Sequence, residues 1–387
     1  IPIFLVMLWI LMQMILILIN NGGYSGGYDE NTQKMFEQGE IEGFDTFIKN
    51  SDHGGVLVRY PVASIFCIGL WLLTQHTIFV KFFFAVFNLC SATIFYYLIM
   101  KITRSTLMSF ICAALFIIIP ITFYASHEWT FRMSQHQTGL LFLMVSLLMI
   151  VKFCEYPKGK YLFLTLVFHL LATLSYEVFL GFLIVYPIIV KFRRSFHLGT
   201  SVPLAAYCNL RLKFMLFVFV DIIIIAIYKP ICHMIYKYYF GYDYHDYAMS
   251  LLAWIAEWKF LMIGNAGEYG PVGVLYFISN FPVLFARLHV NIFLNVFSAP
   301  TYIVMPYLII LAVMNILLLY YCRSIGYDKN LKKNDSLSLF LLGILLFFAA
   351  IITPLVTVGQ IWSRYVYCGY FGLIIVYSVV IVRINNL

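Results

Sequence analysis

Residues Asp221–Ile231 read DIIIIAIYKPI, four consecutive isoleucines behind a single carboxylate. A half-buried strand alternates apolar and polar residues, and a strand of a membrane barrel alternates lipid and lumen with the same period of two. Here the apolar residues are unbroken. The pattern returns along the chain, as in Ile3–Leu18 and Thr77–Met100. Of the 387 residues, 63% are hydrophobic and only 11% charged, more apolar surface than a water-soluble core can bury. Lipid offers a backbone amide no partner, so runs of this kind must close their hydrogen bonds internally. The expectation is an all-α, polytopic integral membrane protein.

The net charge of +8 would suggest nucleic acid in a soluble protein. The basic residues sit at the ends of apolar runs instead, which reads as topology and leaves no nucleic-acid partner. Fifteen of the 25 Lys and Arg gather around Lys101–Arg104, Lys152–Lys160, Lys191–Lys213, Arg323–Lys333 and Arg383, and these segments are expected in the cytoplasm. The cysteines inside apolar runs (Cys67, Cys90, Cys112, Cys368) lack CxxC or Cys/His spacing and read as buried thiols. The chain opens Ile1-Pro2 without a Met, as a fragment or a processed N-terminus does. Its first run is too long for a signal-peptide core and lacks an A-x-A site, so it reads as a retained span.

Working back from Lys101, Thr77–Met100 enters from outside. Residues Asn20–Gly55 carry seven acids against Lys34 and Lys49, and Val56–Gln75 carries Arg59 and Pro61. Both features favour an external loop followed by a juxtamembrane helix over a deep span. The remaining spans are Ser105–Tyr124, Thr138–Phe153, Tyr161–Tyr176, Val178–Val190 (short for a crossing), Phe214–Ile231, Thr301–Tyr321, Ser336–Pro354 and Cys368–Val382. This makes about ten spans in a single domain over 1–387. Residues 20–76 form its first external loop with juxtamembrane helices, and 236–300 a second external or re-entrant region.

This topology collects polar groups on the outer face: Asp29 and Glu30, Arg59, Glu128, Arg132, Gln135, His136, Glu177, the YYFGYDYHDY cluster at Tyr238–Tyr247, and Arg364. Charge at membrane depth is costly, so clustering on one side points to a cavity at the outer leaflet. Acids there can supply a base, and cations a clamp for phosphate. Each group also has a plainer reading. Asp29-Glu30 is a solvated turn, Glu177 a charge at a helix end, Arg364 an interfacial anchor and the Tyr/Asp/His cluster an exposed loop. His127 and His136 lack a metal spacing. No Walker loop, GxGxxG or Gly-x-Ser-x-Gly occurs, so a nucleotide-driven reaction has no support.

The order of elements resembles a known family. An acidic pair follows the first span, then VRYPVASI (Val58–Ile65) and a span ending in basic residues (Val80–Arg104). Leu115–Leu148 carries a Trp-x-x-Arg element at Trp129–Arg132. LLATLSYE (Leu170–Glu177) resembles a Leu-Ser-Lys-Glu element, and Ser363–Tyr377 an Arg-Tyr-x-Tyr span start. Over about residues 20–190 and again 362–378, the chain is similar to the membrane half of GT-C glycosyltransferases, nearest to tetratricopeptide-linked protein O-mannosyltransferases and their bacterial relatives. It departs from them where Tyr60 separates Arg59 from Pro61, where Tyr176 stands in place of Lys, and in having Asp-Glu rather than Asp-Asp.

The resemblance implies an inverting transfer of a sugar from a polyprenyl-phosphate donor to a glycan, lipid or protein acceptor. It places the reaction on the non-cytoplasmic face of a bacterial inner membrane, or of the ER membrane in a eukaryote. It makes Asp29 the base or acceptor-orienting group with Glu30 beside it. Arg59, Arg132 and Arg364 become candidates for holding the donor phosphate, with Glu128 and Glu177 at the substrate. No cofactor is fixed by a motif, and a divalent metal stays open. Two rival readings belong to other classes. A flippase for polyprenyl-linked glycans needs charges inside several spans, and Asp221 is the one acid well inside a later run. An inactive scaffold would keep the fold with altered motifs.

Overall fold

The computed structural model describes residues 2–19, 60–75, 77–118, 131–193, 196, 198, 219–220, 223, 227, 234, 266–267, 270–271, 333–357 and 363–385. Apart from a two-residue ladder pairing Ala266–Gly267 with Gly270–Pro271, the described elements are helices. In order they are α1 (Pro2–Ile19), α2 (Pro61–Thr74), α3 (Thr77–Thr103), α4 (Thr106–Ile118), α5 (Phe131–Glu155), α6 (Gly159–Ser175), the 3-10 helix η1 (Glu177–Ile184), α7 (Val185–Lys191), α8 (Lys333–Thr357) and α9 (Ser363–Asn385). Phe82–Thr103 in α3 and Gln135–Glu155 in α5 are long and apolar enough to cross a membrane. The expected loops 20–55 and 236–300, and the expected spans Phe214–Ile231 and Thr301–Tyr321, lie wholly or mostly outside the described residues.

Local chemistry sets the boundaries. Pro61 opens α2, where its missing N–H costs nothing. Gln75 ends it in the left-handed region (φ 54°), its N–H bonded to Trp71 O at 2.7 Å, and the chain turns back into α3. Arg104 repeats the device after α3 (φ 55°). Ser105 then caps α4, its Oγ accepting the Met108 N–H at 3.0 Å. At the end of α6 the extended backbone of Tyr176 (φ −163°, ψ 123°) breaks the helix.

The sequence reads Val178–Val190 as one short span. There, a 3-10 helix covers Glu177–Ile184, and α-geometry resumes at Val185. Pro187 accounts for where the new α-helix starts. An α-helix continuous from Glu177 would set the proline ring against the carbonyl four residues earlier, whereas in the first turn of a new helix it is tolerated.

Tertiary contacts fix the direction of the N-terminal helices. Lys101 at the end of α3 meets Glu155 at the end of α5 at 3.0 Å, so their C-termini share one end of the bundle. Phe4 packs on Phe110 near the start of α4, 5.4 Å between rings, while Trp9 donates its indole N–H to Ala85 O of α3 at 3.1 Å. Helix α1 therefore runs opposite to α3 and finishes at the other end. Helix α2 stays at that other end. Tyr60, just before it, meets Tyr176, and Cys67 and Trp71 form a small core with Val80 and Phe84 near the start of α3. At 14 residues α2 is about 21 Å long, short of the hydrocarbon thickness. Residue 19 and residue 60 thus lie at the same end, opposite Lys101–Glu155.

The core runs through all these helices. Phe371 of α9 stacks on Phe182 of η1 at 5.8 Å and meets Phe95 of α3 edge-on at 5.9 Å. Helices α8 and α9 pair closely. A Cβ on Gly343 would stand 2.6 Å from Gly372 O, one on Gly372 would collide with Gly343 O, and one on Gly369 would stand 2.8 Å from Phe347 O. Arg383 ties the pair at one end, donating from Nη2 to Ser336 Oγ at 2.8 Å.

Candidate functional site

The end of the bundle away from Lys101–Glu155 holds a run of polar residues where α5 begins. Gln135, His136, Gln137 and Thr138 are 6%, 1%, 7% and 0% exposed. Four successive residues of an α-helix face nearly every direction, so α5 is enclosed on all sides at this level. Enclosing polar groups is expensive unless they are paired. Among the described residues, Gln135 Oε1 and Thr138 Oγ1 have no hydrogen-bond partner. Elsewhere in the bundle, helical Thr hydroxyls bond the carbonyl one turn back, as Thr103 does to Ile99 O at 2.8 Å and Thr165 to Tyr161 O at 2.8 Å.

Three rings close around this run. Tyr176 lies 4.3 Å from the His136 ring and meets Tyr60 edge-on at 5.3 Å, and all three are buried. Phe179 abuts Tyr176 at 6.4 Å and occupies the space a Cβ on Gly139 would need. Glycine at 139 is what lets η1 approach α5 this closely.

The knot gathers three segments that carry sequence candidates. Tyr60 directly follows Arg59, His136 lies one turn after Arg132, and Tyr176 directly precedes Glu177. Glu177 is half-buried. The sequence places it at the end of a helix, whereas it opens η1, the end where helix dipoles favour negative charge. Arg132 stands in the first turn of α5 and Arg364 in the first turn of α9. Asp29, Glu30, Arg59 and Glu128 lie outside the described residues. Among the described residues no three His, Cys, Asp or Glu side chains group closely enough to hold a metal.

Sequence reasoning passes over His169. It sits fully buried mid-way along α6, and its Nε2 lies 3.1 Å from Phe179 O. Its ring meets Tyr186 of α7 edge-on at 5.2 Å. The Tyr186 hydroxyl in turn pairs with Ser146 Oγ of α5 at 2.8 Å, and Ser146 donates to Thr165 O at 2.7 Å. A lone histidine inside an apolar run was the available signal, since an ionisable residue in such a run is a candidate by default.

Compared with protein-family models, with curated proteins and with solved structures, the chain matches none.

Proposed function

We propose that this chain is a multi-pass membrane glycosyltransferase that moves a sugar, with inversion, from a polyprenyl-phosphate donor to a hydroxyl acceptor on the non-cytoplasmic face. The observation that carries the reading is the enclosed polar start of α5, packed against residues adjacent to Arg59 and Glu177 and one turn beyond Arg132. A lipid-linked donor needs a site of this character, polar yet shielded by protein, at one end of an apolar bundle. The cytoplasmic assignment of the opposite end rests on Lys101, Lys152, Lys158 and Lys160 at the ends of α3, α5 and α6.

In the proposed reaction the acceptor oxygen attacks the anomeric carbon as the bond from that carbon to the phosphate oxygen breaks. The acceptor proton passes to the Asp29 carboxylate, Glu30 helps orient the acceptor, and the charge developing on the leaving phosphate is met by Arg59, Arg132 and Arg364. One base suffices, because a single displacement needs no covalent carboxylate.

The test is transfer from a panel of polyprenyl-phosphate sugars by the purified chain, wild type against Asp29→Asn. We expect product from at least one donor and a loss of at least about a hundredfold in the folded variant. No product from any donor would sink the transferase reading in favour of a flippase or a scaffold.

A further inference from the structure

We infer that His169 is a positioning residue. From inside the bundle it holds the 3-10 segment that presents Tyr176 and Glu177 to the site. The role in turnover rests on the transferase reading above; the structural role does not.

The geometry assigns the proton. Phe179 O can only accept, so the His169 nitrogen 3.1 Å away carries hydrogen at Nε2. Thr173 donates its own hydroxyl proton to His169 O at 3.0 Å, so at its 3.5 Å approach to Nε2 it can only accept. The ring is thereby a donor aimed from α6 across to η1. Its target lies three residues past Tyr176, in a helix with poorer hydrogen-bond geometry than an α-helix. The Tyr186 ring against His169 and the Ser146–Tyr186 bond brace the donor from α5 and α7. A merely space-filling residue would need neither the donor nor the brace. Loosening η1 would shift Phe179 against Gly139 and move Tyr176 relative to His136 and Tyr60.

The experiment uses the full chain in lipid nanodiscs with His169→Leu, which fills the space without a donor, and His169→Gln, whose amide N–H reaches about as far as Nε2. Amide hydrogen exchange reads the segment directly. We expect amides of Glu177–Ile184 to exchange about tenfold faster in the Leu variant, with α3 unchanged, and to return to within about twofold of wild type in the Gln variant. Should His169→Leu fail to fold, His169→Asn, whose shorter amide stops short of the carbonyl, takes its place. Wild-type protection of Glu177–Ile184 in the donor-less variant overturns the inference, as does faster exchange spread evenly over all helices. In the transfer assay the donor-less variant should lose about tenfold in kcat with donor KM within about twofold, restored by Gln. An unchanged kcat beside a loosened η1 refutes the role in turnover. A wild-type chain without transfer sinks the transferase reading alone and leaves exchange to decide on His169.

Discussion

Tyr176 touches both His136 and Tyr60, its ring centroid 4.3 Å from the first and 5.3 Å from the second. One residue of extended backbone between two helices thus joins the start of α5 to the entry of α2.

The Tyr60–Tyr176 contact is measurable by a double-mutant cycle. With Tyr60→Leu, Tyr176→Leu and the double variant, the coupling should be about 0.5–1.5 kcal/mol, the range for edge-to-face aromatic pairs. Denaturant titration in detergent gives the four stabilities. A coupling of zero would mean that the rings share a neighbourhood without interacting.

Gly139 should tolerate no side chain. Its Cβ would fall on the Phe179 ring and stand 3.2 Å from Ala172 O, so Gly139→Ala costs about 1–3 kcal/mol through displacement of η1. Adding Phe179→Leu should recover part of that loss by vacating the space. Melting temperatures of the single and double variants decide it, and a Gly139→Ala protein as stable as wild type would contradict the packing.

The proposed orientation in the membrane can be tested at the two ends of the bundle. Lys101 and Glu155 are 44% and 21% exposed, so their bridge contributes about 0–1 kcal/mol and marks an end more than it holds one. Tyr156 beside it and Gln75 at the opposite end are both exposed. In a cysteine-free background, Gln75→Cys should react with a membrane-impermeant maleimide added outside intact cells, and Tyr156→Cys only after permeabilisation. The reverse pattern would put the polar start of α5 on the cytoplasmic side and remove the basis for an external site.

The long helices were legible because unbroken apolar runs ended in charge. Thr77–Met100 with Lys101 and Arg104 behind it gives α3 to within three residues. The 3-10 segment was not legible, since apolar continuity carries no information on helix type. Gln135–Thr138 look in sequence like any polar entry to a membrane helix. Their enclosure depends on α2, α6 and η1 arriving from distant parts of the chain. His169 was missed for the same reason, because its partner Phe179 becomes near only once Tyr176 has reversed the chain.

Gly343, Gly369 and Gly372 bring the backbones of α8 and α9 within touching distance. Inside a bilayer there is no oil-drop attraction between helices, and close fit is what holds them together. The hairpin is therefore a wedge whose two halves are fitted to each other along the glycine seam. Its seam sets Phe371 between α3 and η1, 5.9 Å from Phe95 and 5.8 Å from Phe182. Damage to the seam would spare each helix and spoil the wedge, a failure of assembly rather than of chemistry.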